Sequence, residues 1–487
     1  MKRIPYAFAR AAGVLAAPDG QGGLAVSVRA DTPPEALAEL RRHYGLPMTV
    51  ALLADDAFEA ELSASYAEGG SSGLLDGLGE GEELTSLMQD SRRIQDLLES
   101  EDDAPIIRLI NMVFMQALRE GASDIHIEPF ETRSAVRFRV DGVLKDVVEP
   151  PRALHAALAS RIKVMADMDI AEKRLPQDGR IAIRLGGQPV DVRVSTLPTG
   201  HGERVVLRLL AKNAERLQLD RLGMDAAVLA QVDGLIHEPH GILLVTGPTG
   251  SGKTTTLYAA LSRLDHTALN IMTVEDPIEY DLDGIGQTQV NARVEMSFAR
   301  ALRAILRQDP DVILIGEIRD LETAQIAVQA SLTGHLVIAT LHTNDAASAV
   351  TRLVDMGIEP FLLGSSLIGV LAQRLVRRLC PECRQPYAPN AREWAALDDS
   401  PPPATAYRAM GCEACNQTGY RGRTGLYELL TVDEPLRRLV HDAAGEQDIR
   451  AYAESRGMRA LRQDGVRWVR SGETSIEEVL RVTREAA

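Results

Sequence analysis

Aromatic residues are scarce in this chain. Phe, Trp and Tyr make up 4% of 487 residues, so its cores must rest on Leu, Val, Ile and Ala. No apolar run reaches the roughly 18 residues that a membrane-spanning helix needs, so no transmembrane segment is expected. Net positive charge is also missing. The formal charge of -16 argues against a protein that coats nucleic acid, although a local basic face stays compatible with it. The N-terminus, MKRIPYAFARAAGVLAA, has the early Lys2 and Arg3 of a secretory leader, but Pro5 and Arg10 interrupt its apolar stretch. Dispersed cysteines are absent: all four lie between residues 380 and 415, which excludes a disulfide framework and points to a reducing cytoplasm. No repeat of about 20–50 residues is visible. A chain of this length is expected to hold roughly three domains.

What is present centres on residues 242–258, ILLVTGPTGSGKTTTLY. The apolar run 242–245 reads as a buried strand. Gly247, Pro248, Thr249, Gly250, Ser251, Gly252, Lys253 and Thr254 fit the phosphate-loop pattern G-x-x-x-x-G-K-[ST] at every fixed position. Residues 255–264, opening with Thr255, have helical composition and no breaker. The glycines let backbone N–H groups turn around a phosphate, and the new helix aims its positive end at the same anion. Lys253 is expected to reach the β- and γ-phosphates, and the Thr254 hydroxyl to ligate Mg²⁺. A nucleoside triphosphate such as ATP is therefore the expected ligand.

Four regions are expected in order. Residues 1–68 hold a small α/β unit with strands near 24–28 and 48–53 and a helix that Thr32 caps and Pro33 opens. With no catalytic constellation, it reads as an interaction module. Residues 69–104 are an acidic, Gly/Ser-rich flexible linker with one short helix near 84–98. Residues 105–211 form an α+β unit whose strands 136–140 and 143–148 meet at Asp141-Gly142, a strong hairpin signal. It carries Arg174, Arg180, Arg193, Arg204 and Arg208. Residues 222–487 alternate apolar strands (242–246, 271–275, 312–315, 336–341) with helices, which predicts a mostly parallel, doubly wound sheet.

Three segments follow the loop at strand carboxyl ends, where open α/β sheets bind ligands. Glu275-Asp276 follows the first strand and suits water orientation or Mg²⁺ binding through water. Glu317 follows a second, with Gly316 where an Asp commonly precedes the Glu, so Glu317 must serve alone. Which of Glu275 and Glu317 is the base stays open at this point. His342 closes a third and is suited to sensing the γ-phosphate, whereas His335 precedes that strand. Arginine from another domain or subunit can stabilise charge developing on the γ-phosphoryl group, and Arg180, Arg193 and Arg204 are the main candidates. Cys380, Cys383, Cys412 and Cys415 form two C-x-x-C knuckles suited to tetrahedral Zn²⁺. The gap between them is longer than usual and carries the Pro-rich stretch 400–403, read as a loop.

The stretches GPTGSGKTTTLY, TVEDPIEY, PDVILIGEIRD and LTGHLVIATLHTNDA resemble the Walker A, Asp box, Walker B and His box of the type II/type IV secretion ATPases. Within that family IPYAFAR, SEDDAPIIRLIN, EGASDIHIEP, AEKRLPQDGR and STLPTGHGERVVLRLL look like the general secretory pathway E branch, which serves type II secretion. The glycine before Glu317 is usual there. The resemblance implies a RecA-like ATPase domain preceded by a smaller PAS-like α+β domain and an N-terminal α/β module. It implies a cytoplasmic homo-hexamer using ATP, Mg²⁺ and Zn²⁺, with nucleotide between the arginine-bearing and ATPase domains. ATP hydrolysis would power protein secretion across the outer membrane by driving pseudopilus assembly. The first module would dock on the cytoplasmic part of an inner-membrane platform protein, so membrane contact is indirect and nucleic acid is not a partner. A type IV pilus assembly ATPase is the nearest alternative, and a DNA-translocating motor is the alternative of another class.

Overall fold

A computed structural model describes residues 12–18, 23–30, 32–54, 58, 104–185, 188–211, 218–291, 294–397 and 400–483. Residues 69–103 of the expected linker, the IPYAFAR stretch and residues 186–187 lie outside the described residues. The chain divides into two compact units, Met1–Val140 with Leu144–Leu209, and Asp141–Val143 with Leu210–Ala487.

The first unit opens with a three-stranded sheet in the order β1 (Val14–Pro18), β2 (Leu24–Val28), β3 (Met48–Leu52). β1 and β2 are antiparallel, and β2 and β3 are parallel. The helix Pro34–Tyr44 connects β2 to β3. Its N-cap is Pro33, and Gly45 ends it at φ 64° with its N–H on the Arg41 carbonyl. Thr32 does not cap it: its hydroxyl donates to the Gly13 carbonyl at 2.7 Å and accepts the Arg29 N–H. Val14, Leu24, Val26, Leu40 and Phe58 form this small core.

The same unit holds a six-stranded sheet, ordered β6-β5-β4-β9-β8-β7. Its strands are β4 (Ala122–Pro129), β5 (Ser134–Val140), β6 (Val143–Val148), β7 (Gln177–Leu185), β8 (Gln188–Thr199) and β9 (Gly202–Ala211). Asp141 and Gly142 both have positive φ, 47° and 85°, as a tight two-residue hairpin loop demands. The helices Ala104–Arg119 and His155–Met165 contribute Leu109, Phe114, Leu158 and Ile162 to the core over this sheet. The first of them begins at Ala104, so residue 104 belongs to this helix and not to the expected linker.

The second unit is built on a seven-stranded sheet, ordered β12-β11-β13-β14-β10-β15-β18. Its strands are β10 (Gly241–Thr246), β11 (Ile271–Glu275), β12 (Gly286–Gln289), β13 (Val312–Ile315), β14 (Leu336–Leu341), β15 (Leu367–Leu379) and β18 (Tyr420–Thr431). All neighbours are parallel except β15 and β18. β10, β13 and β14 are buried at every residue, as strands covered on both faces must be. The helices Phe298–Ile305, Leu321–Leu332 and Ala346–Asp355 cover one face. Ala226–Ile236 and Lys253–Leu261 cover the other. The sheet is thus doubly wound.

Glu428 ties this sheet to two helices. It lies on β18 and is 3% exposed. One oxygen accepts the Ala346 N–H at 2.8 Å, and the other accepts the Leu461 N–H at 3.2 Å. These are the first residues of Ala346–Asp355 and of Leu461–Arg470, so one carboxylate satisfies an orphan donor on each helix. Burial pushes its pKa above the usual carboxylate value. Replacing it by Leu leaves two buried N–H groups unsatisfied, at about 1–3 kcal/mol each. Glu428→Leu is expected to lower the thermal midpoint of the nucleotide-binding unit clearly. Glu428→Gln, which keeps one acceptor, should fall between. Calorimetry of the full chain checks the ranking.

Candidate active site

The phosphate loop leaves β10 at Thr246, whose hydroxyl lies 2.7 Å from that of Thr343, just past β14. Gly247 has φ 146°, and a Cβ there would collide with the Gln373 carbonyl oxygen on β15. Gly250 and Gly252 have φ 79° and 90°, left-handed values that favour glycine. The helix begins directly at Lys253. Thr249, Thr254 and Thr255 flank the loop's ends in the sequence GPTGSGKTT, and the last two sit half-buried in the helix's first turn. Lys253 folds over its own loop: Nζ donates to the Gly247 carbonyl at 2.6 Å and the Pro248 carbonyl at 3.2 Å. Burial lowers its pKa to about 8, against the opposing pull of Glu317 and with help from Arg374. An ammonium so desolvated gains by meeting phosphate oxygens.

Parallel pairing brings four strand ends to one edge. β11 ends in Glu275, β13 leads to Glu317, β14 to His342, and β10 to the loop. The two glutamates differ sharply. Glu275 is 4% exposed. It accepts hydrogen bonds from the Tyr258 hydroxyl, from the Thr273 hydroxyl at 2.6 Å and from Gln287 Nε2 at 3.0 Å. Both its oxygens are therefore engaged in packing the helix Lys253–Leu261 and β12 onto β11. Glu317 is half-buried and pairs with Arg319 and, at 3.5 Å, with His342 Nε2. Burial and the nearby Lys253 hold His342 below its usual pKa, so it is neutral at pH 7. Gly316 has a physical reason. A Cβ there would lie 3.2 Å from the Val274 carbonyl and 3.3 Å from the Glu275 Cα, pressing on β11 where Glu275 emerges. Asp276 is exposed beside Glu275.

His335 sits at the opposite edge of the sheet, before β14. Its Nδ1 lies 2.9 Å from the Ala330 carbonyl and 3.2 Å from the Thr333 hydroxyl, which makes it part of the helix end. Two site neighbours escape the sequence motifs, Gln373 and Arg374 on β15. Arg374 Nη2 donates to Asn344 Oδ1 at 3.0 Å, two residues beyond His342. Nothing in the spacing of LAQRLVRRL marks them, because the strand carries no phosphate-loop or acidic signature.

The arginines of the first unit also differ among themselves. Arg174 chelates Glu172, holding that carboxyl at about 2. Arg204 donates to Glu128 at 2.8 Å and Arg208 to Asp124 at 2.9 Å. Arg180 and Arg193 are direct cross-strand partners on β7 and β8. Nearby, a buried Lys163–Glu203 pair at 2.7 Å fixes the start of β9 to the helix His155–Met165.

The four cysteine sulfurs all lie within 4.8 Å of one another. Cys380–Cys412, Cys383–Cys415 and Cys412–Cys415 are 3.9, 3.8 and 3.7 Å apart. A tetrahedral ZnS₄ centre with bonds of about 2.3 Å has edges of about 3.8 Å, so the sulfurs fit that ion. They are too far apart for disulfides. Backbone N–H groups of Gly411, Cys412 and Gly419 point at Cys383 and Cys415 sulfurs, as thiolates require. The long gap is more than a loop. It holds the hairpin β16 (Gln385–Tyr387) and β17 (Ala406–Arg408), plus the helix Ala391–Ala395, whose Trp394 is 1% exposed and donates to the Ser400 carbonyl.

Comparisons with known proteins agree on one family. A family profile described as Type II/IV secretion system protein matches residues 99–481, and one for an N-terminal domain of GSPII protein E matches residues 3–66. Type II secretion system protein HxcR of Pseudomonas aeruginosa is 61% identical over 487 residues, covering all of both chains. Type II secretion system ATPase E of Vibrio cholerae is 55% identical over 491 residues, covering 100% of this chain and 97% of that one. Among solved structures, the pilus retraction motor PilT with bound ADP is 27% identical at a TM-score of 0.53, covering 77% of this chain and 97% of PilT. The Legionella pneumophila ATPase DotB shares the fold at a TM-score of 0.57 and 20% identity, covering 77% and 95%. These neighbours match the RecA-like ATPase domain with a smaller domain before it. The chain therefore belongs to the type II/IV secretion system protein family, on its type II secretion protein E branch.

Proposed function

We propose that the chain hydrolyses ATP at the Gly247–Thr254 loop and converts the energy into motion that drives type II protein secretion. The observation that carries this is the loop itself, complete in sequence and seated at the carboxyl edge of a parallel sheet beside Glu317 and His342. Whole-length relatives of the type II branch and the ADP bound to PilT support it.

In this reading the loop N–H groups and Lys253 hold the triphosphate, with Lys253 exchanging its carbonyl partners for phosphate oxygens. The Thr254 hydroxyl holds Mg²⁺, which when bound neutralises phosphate charge. Glu317 orients the attacking water, because its carboxylate has a partly exposed partner set that can rearrange. Glu275, locked by three donors, acts by positioning β11 and the helix Lys253–Leu261. Neutral His342 relays the state of the γ-phosphate to Glu317. Arg180 and Arg193 supply charge to the phosphates from the preceding domain, whose sheet sets the two side by side. Arg204 does so by releasing Glu128.

Such arginine supply requires assembly, and a cytoplasmic homo-hexamer is the form we infer. The family match at residues 3–66 supports docking of the first module on the cytoplasmic part of an inner-membrane platform protein. Among the described residues no helix is long and apolar enough to cross a membrane. Membrane contact would then run through the partner. Cys380, Cys383, Cys412 and Cys415 hold one structural Zn²⁺, which supplies a rigid crosslink between β15 and the segment before β18.

Lys253→Ala is expected to lower ATP turnover by at least about 100-fold while the protein stays folded. Glu317→Gln should lower kcat about 10²–10⁴-fold and leave nucleotide affinity near that of the parent. Glu275→Gln should cost less in kcat and more in thermal stability. A larger kcat loss in Glu275→Gln than in Glu317→Gln, without destabilisation, would reverse the roles of the two glutamates. Metal analysis of the purified chain should find about one zinc per chain, absent in Cys412→Ser, and a zinc-free parent would remove that site.

A further inference from the structure

One buried polar side chain beside the loop remains unexplained by packing. Gln373 lies on β15 and is 2% exposed. β10 and β15 run in register up to Thr246 and Ala372, so the loop departs from the sheet alongside Gln373. Its Nε2 donates to the Ser251 carbonyl at 2.7 Å. Its own backbone carbonyl oxygen is the group on which Gly247 rests, and a Cβ at Gly252 would lie 3.3 Å from Nε2. The first, fifth and sixth residues of the loop therefore all bear on this one residue.

We propose that Gln373 is a positioning residue for the phosphate loop: its amide holds the Ser251 carbonyl against β15 and thereby sets the loop for a nucleoside phosphate. The reason lies in the peptide unit. Across a trans peptide the C=O and the next N–H point in opposite directions. Holding the Ser251 carbonyl toward Gln373 turns the Gly252 N–H away from β15. That N–H belongs to the set from which a phosphate cradle is made. Packing alone does not account for a glutamine here. Leu371 and Leu375 serve the same strand, and Leu371 is fully buried. The Gln373 Oε1 and the Ser251 hydroxyl are both buried without a partner among the described residues. A buried acceptor left unmet is costly, and leucine carries none. The amide thus keeps one acceptor unmet in order to hold the Ser251 carbonyl, as expected of a group that serves the loop. The proposal rests on the reading of this loop as the nucleotide site.

The test uses the full chain with Mg²⁺, a fluorescent ADP analogue for affinity and steady-state ATP turnover. Gln373→Leu is expected to raise the nucleotide Kd and KM about 10-fold, keep kcat within about 3-fold and change the thermal midpoint little, since it removes one unmet acceptor and orphans another. Gln373→Glu keeps the shape. It should bind at least as weakly as the leucine variant at neutral pH and recover toward the parent as pH falls, because only the protonated carboxyl can donate to Ser251. The parent measured at each pH is the reference. If the leucine variant fails to fold, the pH series of the glutamate variant decides alone. Parental affinity in folded Gln373→Leu overturns the proposal. So does a weakened Gln373→Glu with no pH recovery, which marks a packing residue only. A parent chain that binds no nucleotide at all instead removes the reading of the site.

Discussion

Parallel pairing of β10 with β14 on one side and β15 on the other is the constraint on which the active edge depends. Thr246 is opposite Leu341 and Ala372 in the two registers. The next residue of each strand is therefore Gly247, His342 and Gln373, and all three meet at one point of the sheet. A slip of one residue in either pairing would turn alternate side chains to the other face and break this meeting. Full burial of β10 and β14 on both faces holds the register, because any slip exposes or crowds branched apolar side chains packed between two helix layers.

The same edge separates two acids that look alike on paper. Glu275 and Glu317 each lie at the end of an apolar strand, yet their surroundings differ. Tyr258, Thr273 and Gln287 saturate Glu275, and this network lets the helix after the loop pack tightly on β11. Glu317 keeps partly exposed partners in Arg319 and His342, which can change without tearing the core. Gly316 lets the end of β13 lie close against β11, since a Cβ there would press on the backbone of Glu275. The same economy of space makes Gly247 necessary against β15.

Much of this is legible in the amino-acid sequence for identifiable reasons. The four-strand parallel core can be read because its strands are short, apolar and separated by helices. Asp141-Gly142 marks the hairpin of β5 and β6 because both residues must take positive φ. The phosphate loop can be read because its glycines and Lys253 occur at fixed spacing. β15 and β18 are harder. They are long, carry several arginines and pair antiparallel, so neither the run length nor the alternation sets them apart. Gln373 and Arg374 are hidden with them. The folded hairpin between the cysteine knuckles is also obscured, since three consecutive prolines near 401–403 suggest a loop while Trp394 builds a core beside them. The capping role of Glu428, joining residues 346 and 461, is a long-range pairing that no local pattern encodes.

If this sheet edge binds and cleaves a nucleoside triphosphate as proposed, Lys253 and Glu317 stand against its phosphates. The most direct test is an experimental structure of the full chain with Mg²⁺ and a non-hydrolysable ATP analogue. Phosphates are expected inside the Gly247–Thr254 loop, with Lys253 Nζ moved from the Gly247 and Pro248 carbonyls onto phosphate oxygens and Glu317 facing the γ-phosphate. Phosphates bound outside the loop, with Lys253 still on its own carbonyls, would contradict it.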